Sequence, residues 1–342
     1  MQRWSLVVTF MVLLLFQGCK LLEKVDENTT AESVDLSGLK QRPLLSADER
    51  YLFVNVGSKG VDIFDLSSLQ SPRLVRTWDV EDVTYDLALQ GERLVLANGS
   101  EGVEIVDVSK PENPQRSAWI RTGDENATTV ALSSDTVAIG TAEGMQLYDL
   151  SQLQLPRYLG RYESNGTIRG IAFDSARARL WLANAGYGAE LLDISDMRAP
   201  DFQDGIAVEG SAWDVHVNGD TGDCYVVSLT SALRRLDLDA RKRVELATYY
   251  DPHDGGRSFG IVAGERFRFL YLAKGERGLE IVDNSDPEHP RHLSYFDTNG
   301  TARGVAVNRA ETVAFVADGR EGVKVIDISD KKHPRRIGYV KF

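Results

Sequence analysis

One five-residue phrase recurs seven times along the chain: IFDLS (63–67), IVDVS (105–109), LYDLS (147–151), LLDIS (191–195), RLDLD (235–239), IVDNS (281–285) and VIDIS (325–329). Its aspartates are Asp65, Asp107, Asp149, Asp193, Asp237, Asp283 and Asp327, spaced by 42, 42, 44, 44, 46 and 44 residues. Two further columns keep step with them. Five residues before each aspartate stands Gly60, Gly102, Gly144, Gly188, Ala232, Gly278 or Gly322, and seven residues after it Pro72, Pro114, Pro156, Pro200, Val244, Pro290 or Pro334. A unit of this length cannot bury an apolar face alone, so the copies must stack on one another.

The content of a unit sets the stacking element. A β-branched run such as TVAFVAD precedes a turn and the glycine, and a second run, VKVIDIS, follows. Short apolar runs around turn residues describe a hairpin. The glycine suits a position of positive φ or close backbone approach. The aspartate at the strand end can accept N–H bonds in the next turn. Proline, which cannot donate to a ladder, marks the step to the next strand. A closing strand such as RRIGYV and an opening one such as ARGVAV (302–307) complete four strands per unit, the period and content of a propeller blade.

These units resemble LVIVD repeats, a bacterial and archaeal family named for this strand, over about residues 40–342. The resemblance implies an all-β, seven-bladed β-propeller with four antiparallel strands per blade, occupying residues 39–342, in an envelope or exterior protein. WD40 is the rival at this period, but no Gly-His or Trp-Asp pair stands at the expected places. Repeat five departs from the pattern, with Ala232 for Gly, Asp239 for Ser and no proline. Repeat one opens on LKQRPLLS, a poor strand whose Pro43 fits only an edge facing the channel. The last unit ends at Phe342. Closure is therefore expected from blade one packing on blade seven, or from residues 33–38 adding a strand.

The N-terminus reads as an address. Arg3 and the 13-residue apolar stretch Trp4–Phe16 are too short to span a bilayer and fit a signal peptide, 1–18. The FQGC that follows resembles the bacterial lipobox, which makes Cys19 the expected lipidation site, carrying acyl chains such as palmitate as a membrane anchor. Lys20, being non-acidic, is compatible by the same resemblance with the outer membrane. Residues 19–38 read as the lipidated cysteine and a flexible tether.

A net charge of −12 argues against nucleic acid. Two cysteines, Cys19 and Cys224, exclude a disulfide framework. The five histidines lack metal-ligand spacing, and no P-loop, dinucleotide fingerprint or G-x-S-x-G occurs. No metal or cofactor is expected.

The propeller funnel is where a ligand could sit. Aligned opening strands place Arg42, Tyr85, Thr128, Arg169, Trp213, Phe259 and Arg303 at one level near its mouth, with Lys40 and Arg257 two positions earlier. Three arginines and three aromatics suit an anionic or sugar-like ligand. The competing reading pairs these arginines with acids such as Asp86 and Asp214. His216 stands where other repeats carry Ala88, Ala131, Ala172, Val262 and Ala306, and Asp214 lies two residues before it, a candidate acid–base pair. The expected function is a lipid-anchored platform in the cell envelope that binds a protein or glycan partner without catalysis. The alternative is a hydrolase or lyase acting on an anionic substrate in the funnel.

Overall fold

The computed structural model describes residues 39–208, 210–230, 233–237, 244–249, 257–264 and 266–342. Cys19, the signal segment, the tether, Ala232 and Asp239 lie outside the described residues. Among the described residues 28 strands form seven four-stranded sheets, each built in chain order and antiparallel throughout. The innermost strands are Pro43–Leu45, Asp86–Gln90, Thr129–Ser133, Ile168–Asp174, Ala212–Val217, Gly260–Ala263 and Gly304–Val307. Each touches the next, and the seventh touches the first, so the sheets are blades around a closed ring.

Burial follows blade boundaries. Each apolar cluster is shared by two neighbouring blades, as when Phe53, Ile63, Leu87 and Leu96 join blades one and two. The same is true of the other six boundaries. A blade's second and third strands are apolar on both faces because both faces are covered. Closure uses the same packing: Leu52, Val54 and Phe64 of blade one meet Phe315, Val323 and Val325 of blade seven. All four strands of blade seven come from the C-terminal segment. At the rim of that boundary the Arg309 N–H donates to Glu49 Oε1 at 2.5 Å. Pro43 pairs only with Val54 of the second strand, so its lack of an N–H donor costs nothing on the channel side.

The repeat columns have physical causes. The glycines adopt positive φ, +86° at Gly60 and +81° at Gly322, and lie under the outer strand. A Cβ on Gly60 would stand 2.0 Å from the Trp78 carbonyl oxygen, and one on Gly322 1.9 Å from that of Val340. The aspartates accept the N–H two residues on, Asp65 from Ser67 at 2.8 Å and Asp327 from Ser329 at 3.0 Å. That bond, joined by the Ser329 hydroxyl and Arg335, holds the Asp327 carboxyl at about 2. The prolines directly precede outer strands such as Arg73–Trp78 and Arg335–Val340.

Two regularities escape the spacing argument. All seven blades carry a bulge between the third and outer strands at one register, for example at Ile63/Phe64 and Val325/Ile326. A bulge bends the strand and adds twist, which turns the outer strand away from the blade plane. The residue three before the repeat aspartate, inside the third strand, is also polar in each blade. Buried Glu104 binds Arg116, Asp62 accepts from Thr77 Oγ1 at 2.6 Å, and Glu280 meets His292 Nδ1 at 3.0 Å. In blades six and seven the polarity is exchanged: Lys274 faces Glu280 at 3.9 Å, whereas Asp318 faces Lys324 at 3.5 Å.

Candidate functional site

The funnel-mouth residues stand at the starts of the inner strands, but they divide into two groups. Arg42 is drawn inward. Its Nη2 donates to Asp214 Oδ1 at 3.0 Å and its Nε lies 3.3 Å from Asp86 Oδ1. Lys40 Nζ donates to the same Asp214 oxygen at 2.7 Å. Asp214 Oδ2 faces the edge N–H of Ile261 at 3.4 Å, and Asp86 Oδ2 accepts from Thr129 Oγ1 at 2.5 Å. Blade one is thus tied through buried charges to blades two and five. Burial works against the Asp214 carboxylate, but Lys40 and Arg42 outweigh it and hold the group below its usual range. Burial likewise opposes the Arg42 charge, which Asp86 and Asp214 raise above its ordinary value. Burial pulls the Lys40 ammonium down against the attraction of Asp214. Gly170 makes room for this lock, since a Cβ there would stand 3.0 Å from Asp214 Oδ1 and 3.1 Å from Lys40 Nζ.

The second group is aromatic. The Arg169 guanidinium lies over Trp213 at 5.2 Å, Trp213 meets Phe259 edge to face at 5.6 Å, and Arg303 lies over Phe259 at 5.3 Å. This ladder crosses blades four to seven. Among the described residues no carboxylate pairs with Arg169; burial lowers its pKa, opposed by Tyr85. Trp213 is buried, and its Nε1 has no hydrogen-bond partner among the described residues. Thr128 turns away from any ligand role, its hydroxyl donating to the Ile168 carbonyl at 2.7 Å. Tyr85 stays half-buried beside Arg169, and Arg257 is exposed.

A cavity of about 230 Å³ lies in the channel between blades one, five, six and seven, lined among others by Lys40, Arg42, Asp214, His216 and Arg303. His216 reaches it, but Arg169 and Trp213 do not. No hydrogen bond links Asp214 to His216, because Asp214 is occupied by Lys40, Arg42 and the Ile261 N–H. His216 packs instead against Phe267, with ring centroids 5.4 Å apart. Burial drives its pKa down to about 4, against the attraction of Asp214 and with the help of Arg42. It is neutral at pH 7 and a weak base. Among the described residues no group of three or more His, Cys, Asp or Glu could hold a metal ion.

The Lys40–Asp214 bond joins residues 174 apart. No local pattern signals it. The polar residue inside each third strand was legible, as the second letter of VEIVD and VKVID.

A profile of the LVIVD repeat matches residues 45–80, 267–298 and 299–341. The chain carries LVIVD repeats. The matched segments correspond to blades one, six and seven, which are consecutive around the closed ring, and blades two to five of this LVIVD-repeat propeller keep the Asp register with more divergent sequence. No curated protein matches the chain.

Proposed function

We propose that this LVIVD-repeat propeller is a lipid-anchored binding platform of the cell envelope, which presents its channel mouth to a protein or glycan partner and catalyses no reaction. The observation that carries this reading is the division among the mouth cations. Lys40 and Arg42 are neutralised by Asp86 and Asp214, while Arg169 lies on Trp213 with no carboxylate partner among the described residues. A cation held over an aromatic face beside further aromatics suits an anionic or sugar-like group. The engaged Asp214 and the weakly basic His216 leave the hydrolase or lyase alternative without an acid–base pair. Anchoring through Cys19 and an outer-membrane location belong to the same proposal and rest on the N-terminal sequence.

The test is affinity purification from detergent-solubilised envelope, comparing the wild type with Arg169→Ala. A partner retained by the wild type and lost from the variant supports the reading; identical recoveries overturn it. Metabolic labelling with an alkyne fatty acid, present in the wild type and absent in Cys19→Ser, tests the anchor separately.

A further inference from the structure

The boundary between blades five and six breaks the repeat at three columns. Arg235 pairs with Tyr225 across the second and third strands, at the register where other blades bury Ile63, Ile105, Leu147, Leu191, Ile281 and Val325. Asn284, 2% exposed, replaces the buried Leu66, Val108, Leu150, Ile194 and Ile328. His216 replaces alanine or valine in the inner strand. Phe267 holds a left-handed φ of +52°, a conformation that a bulky side chain seldom adopts. Substitutions that place charge and amide groups at an otherwise apolar contact cost stability unless something compensates.

Arg235, Asn284 and Phe267 border a cavity of about 480 Å³. It lies beyond the ends of the inner strands, as Asn218 follows Val217, and so opens on the disc face opposite the channel mouth. Among the described residues three guanidiniums line it, from Arg235, Arg266 and Arg268, against one carboxylate, Asp223. Asp223 Oδ2 takes Nε and Nη2 of Arg235 at 3.0 and 2.7 Å. Arg268 lies over Phe269 at 5.2 Å, and Arg266 is exposed with no ion pair to a described residue. The Asn284 amide donates to the Phe267 carbonyl at 2.7 Å and to the Tyr225 hydroxyl at 3.1 Å, yet its Oδ1 is buried with no partner among the described residues. A buried, unmet acceptor therefore sits beside excess positive charge in a protein of net charge −12.

We infer that this cavity binds a sugar acid, a monosaccharide or disaccharide unit carrying a carboxylate. The guanidiniums of Arg266 and Arg268 meet the carboxylate, and a sugar hydroxyl donates to Asn284 Oδ1. The cavity volume suits a ligand of that size and would be mostly empty around a lone inorganic anion.

Calorimetric titration of the purified full-length protein in detergent tests this, with digalacturonate as probe and neutral galactobiose and inorganic phosphate as comparison arms. Digalacturonate binds the wild type, and galactobiose and phosphate bind at least about tenfold more weakly. Arg266→Ala weakens digalacturonate binding about tenfold. Asn284→Ile, which restores the residue of the other blades, weakens it similarly while leaving the melting temperature close to the wild type's. Binding lost in Arg169→Ala but kept in Arg266→Ala would place the ligand at the mouth and overturn the inference, so failure here is distinguishable from failure at the mouth. Absence of digalacturonate binding, equal binding of galactobiose, phosphate binding as tight as the disaccharide, or full affinity in Asn284→Ile would each overturn the inference.

Discussion

The rim and the hub of this propeller are held together in different ways. At the rim the same devices recur from blade to blade, with blade five departing through Ala232: a glycine beneath an outer-strand carbonyl, an aspartate accepting the N–H two residues on, and, in all seven blades, a bulge at one register. At the hub nothing repeats. Lys40 and Arg42 of blade one reach Asp86 of blade two and Asp214 of blade five, and an aromatic ladder spans the opposite arc. The difference teaches that repetition builds blades, whereas the hub departs from the repeat to fix which blades face one another and what the mouth presents.

Mutations should separate the two regions by magnitude. Asp214→Asn strands Lys40 beside a neutral partner in a buried site, leaves Arg42 only Asp86, and should cost about 3–5 kcal/mol in denaturant unfolding. Gly322→Ala forces a Cβ against the Val340 carbonyl at positive φ; a local loss of about 2 kcal/mol is expected by the same measurement. Asn284→Ile removes a buried unmet acceptor together with the amide's bonds to the Phe267 carbonyl and the Tyr225 hydroxyl, and restores apolar contact; the net change should stay within about 1 kcal/mol, read as a melting temperature close to the wild type's. Arg169→Ala forfeits one cation–π contact, about 0.5–1 kcal/mol, while abolishing partner retention.

The smallest effect belongs to a single rim aspartate and is best read against pH. The folded pKa of Asp327, about 2, lies below its unfolded value, so the unfolded chain binds more protons in acid. Its contribution is present above about pH 4 and is lost as pH falls through about 2. Asp327→Ala should reduce stability slightly at neutral pH and flatten the acid limb of the stability profile. A loss as large as that of Asp214→Asn would erase the distinction between rim and hub.

The rim was legible because its causes are local. A residue two positions from its acceptor, or a glycine under its own blade's outer strand, leaves a mark at fixed spacing, and seven copies make that mark countable. Pro43 could be placed at the channel edge for the same reason. The hub was only half legible. The strand-start alignment brought Arg42, Arg169, Trp213, Phe259 and Arg303 to one level and named Asp86 and Asp214 as competing partners. It could not divide the arginines, because which one reaches a carboxylate depends on how the ring closes over long chain separations. The suggested Asp214–His216 pair had the right strand spacing, but Lys40 claims the carboxylate from across the channel. Arg235 and Asn284 were visible as odd letters in their columns; their meaning needed the neighbouring blade that packs against them.

The central claim, a closed ring locked across its hub, is tested most directly by a double-mutant cycle on Lys40 and Asp214. With Lys40→Met, Asp214→Asn and the double variant, unfolding free energies should give a coupling of about 2 kcal/mol or more between residues 174 apart in sequence. A coupling indistinguishable from zero, with each single variant near wild-type stability, would contradict the account.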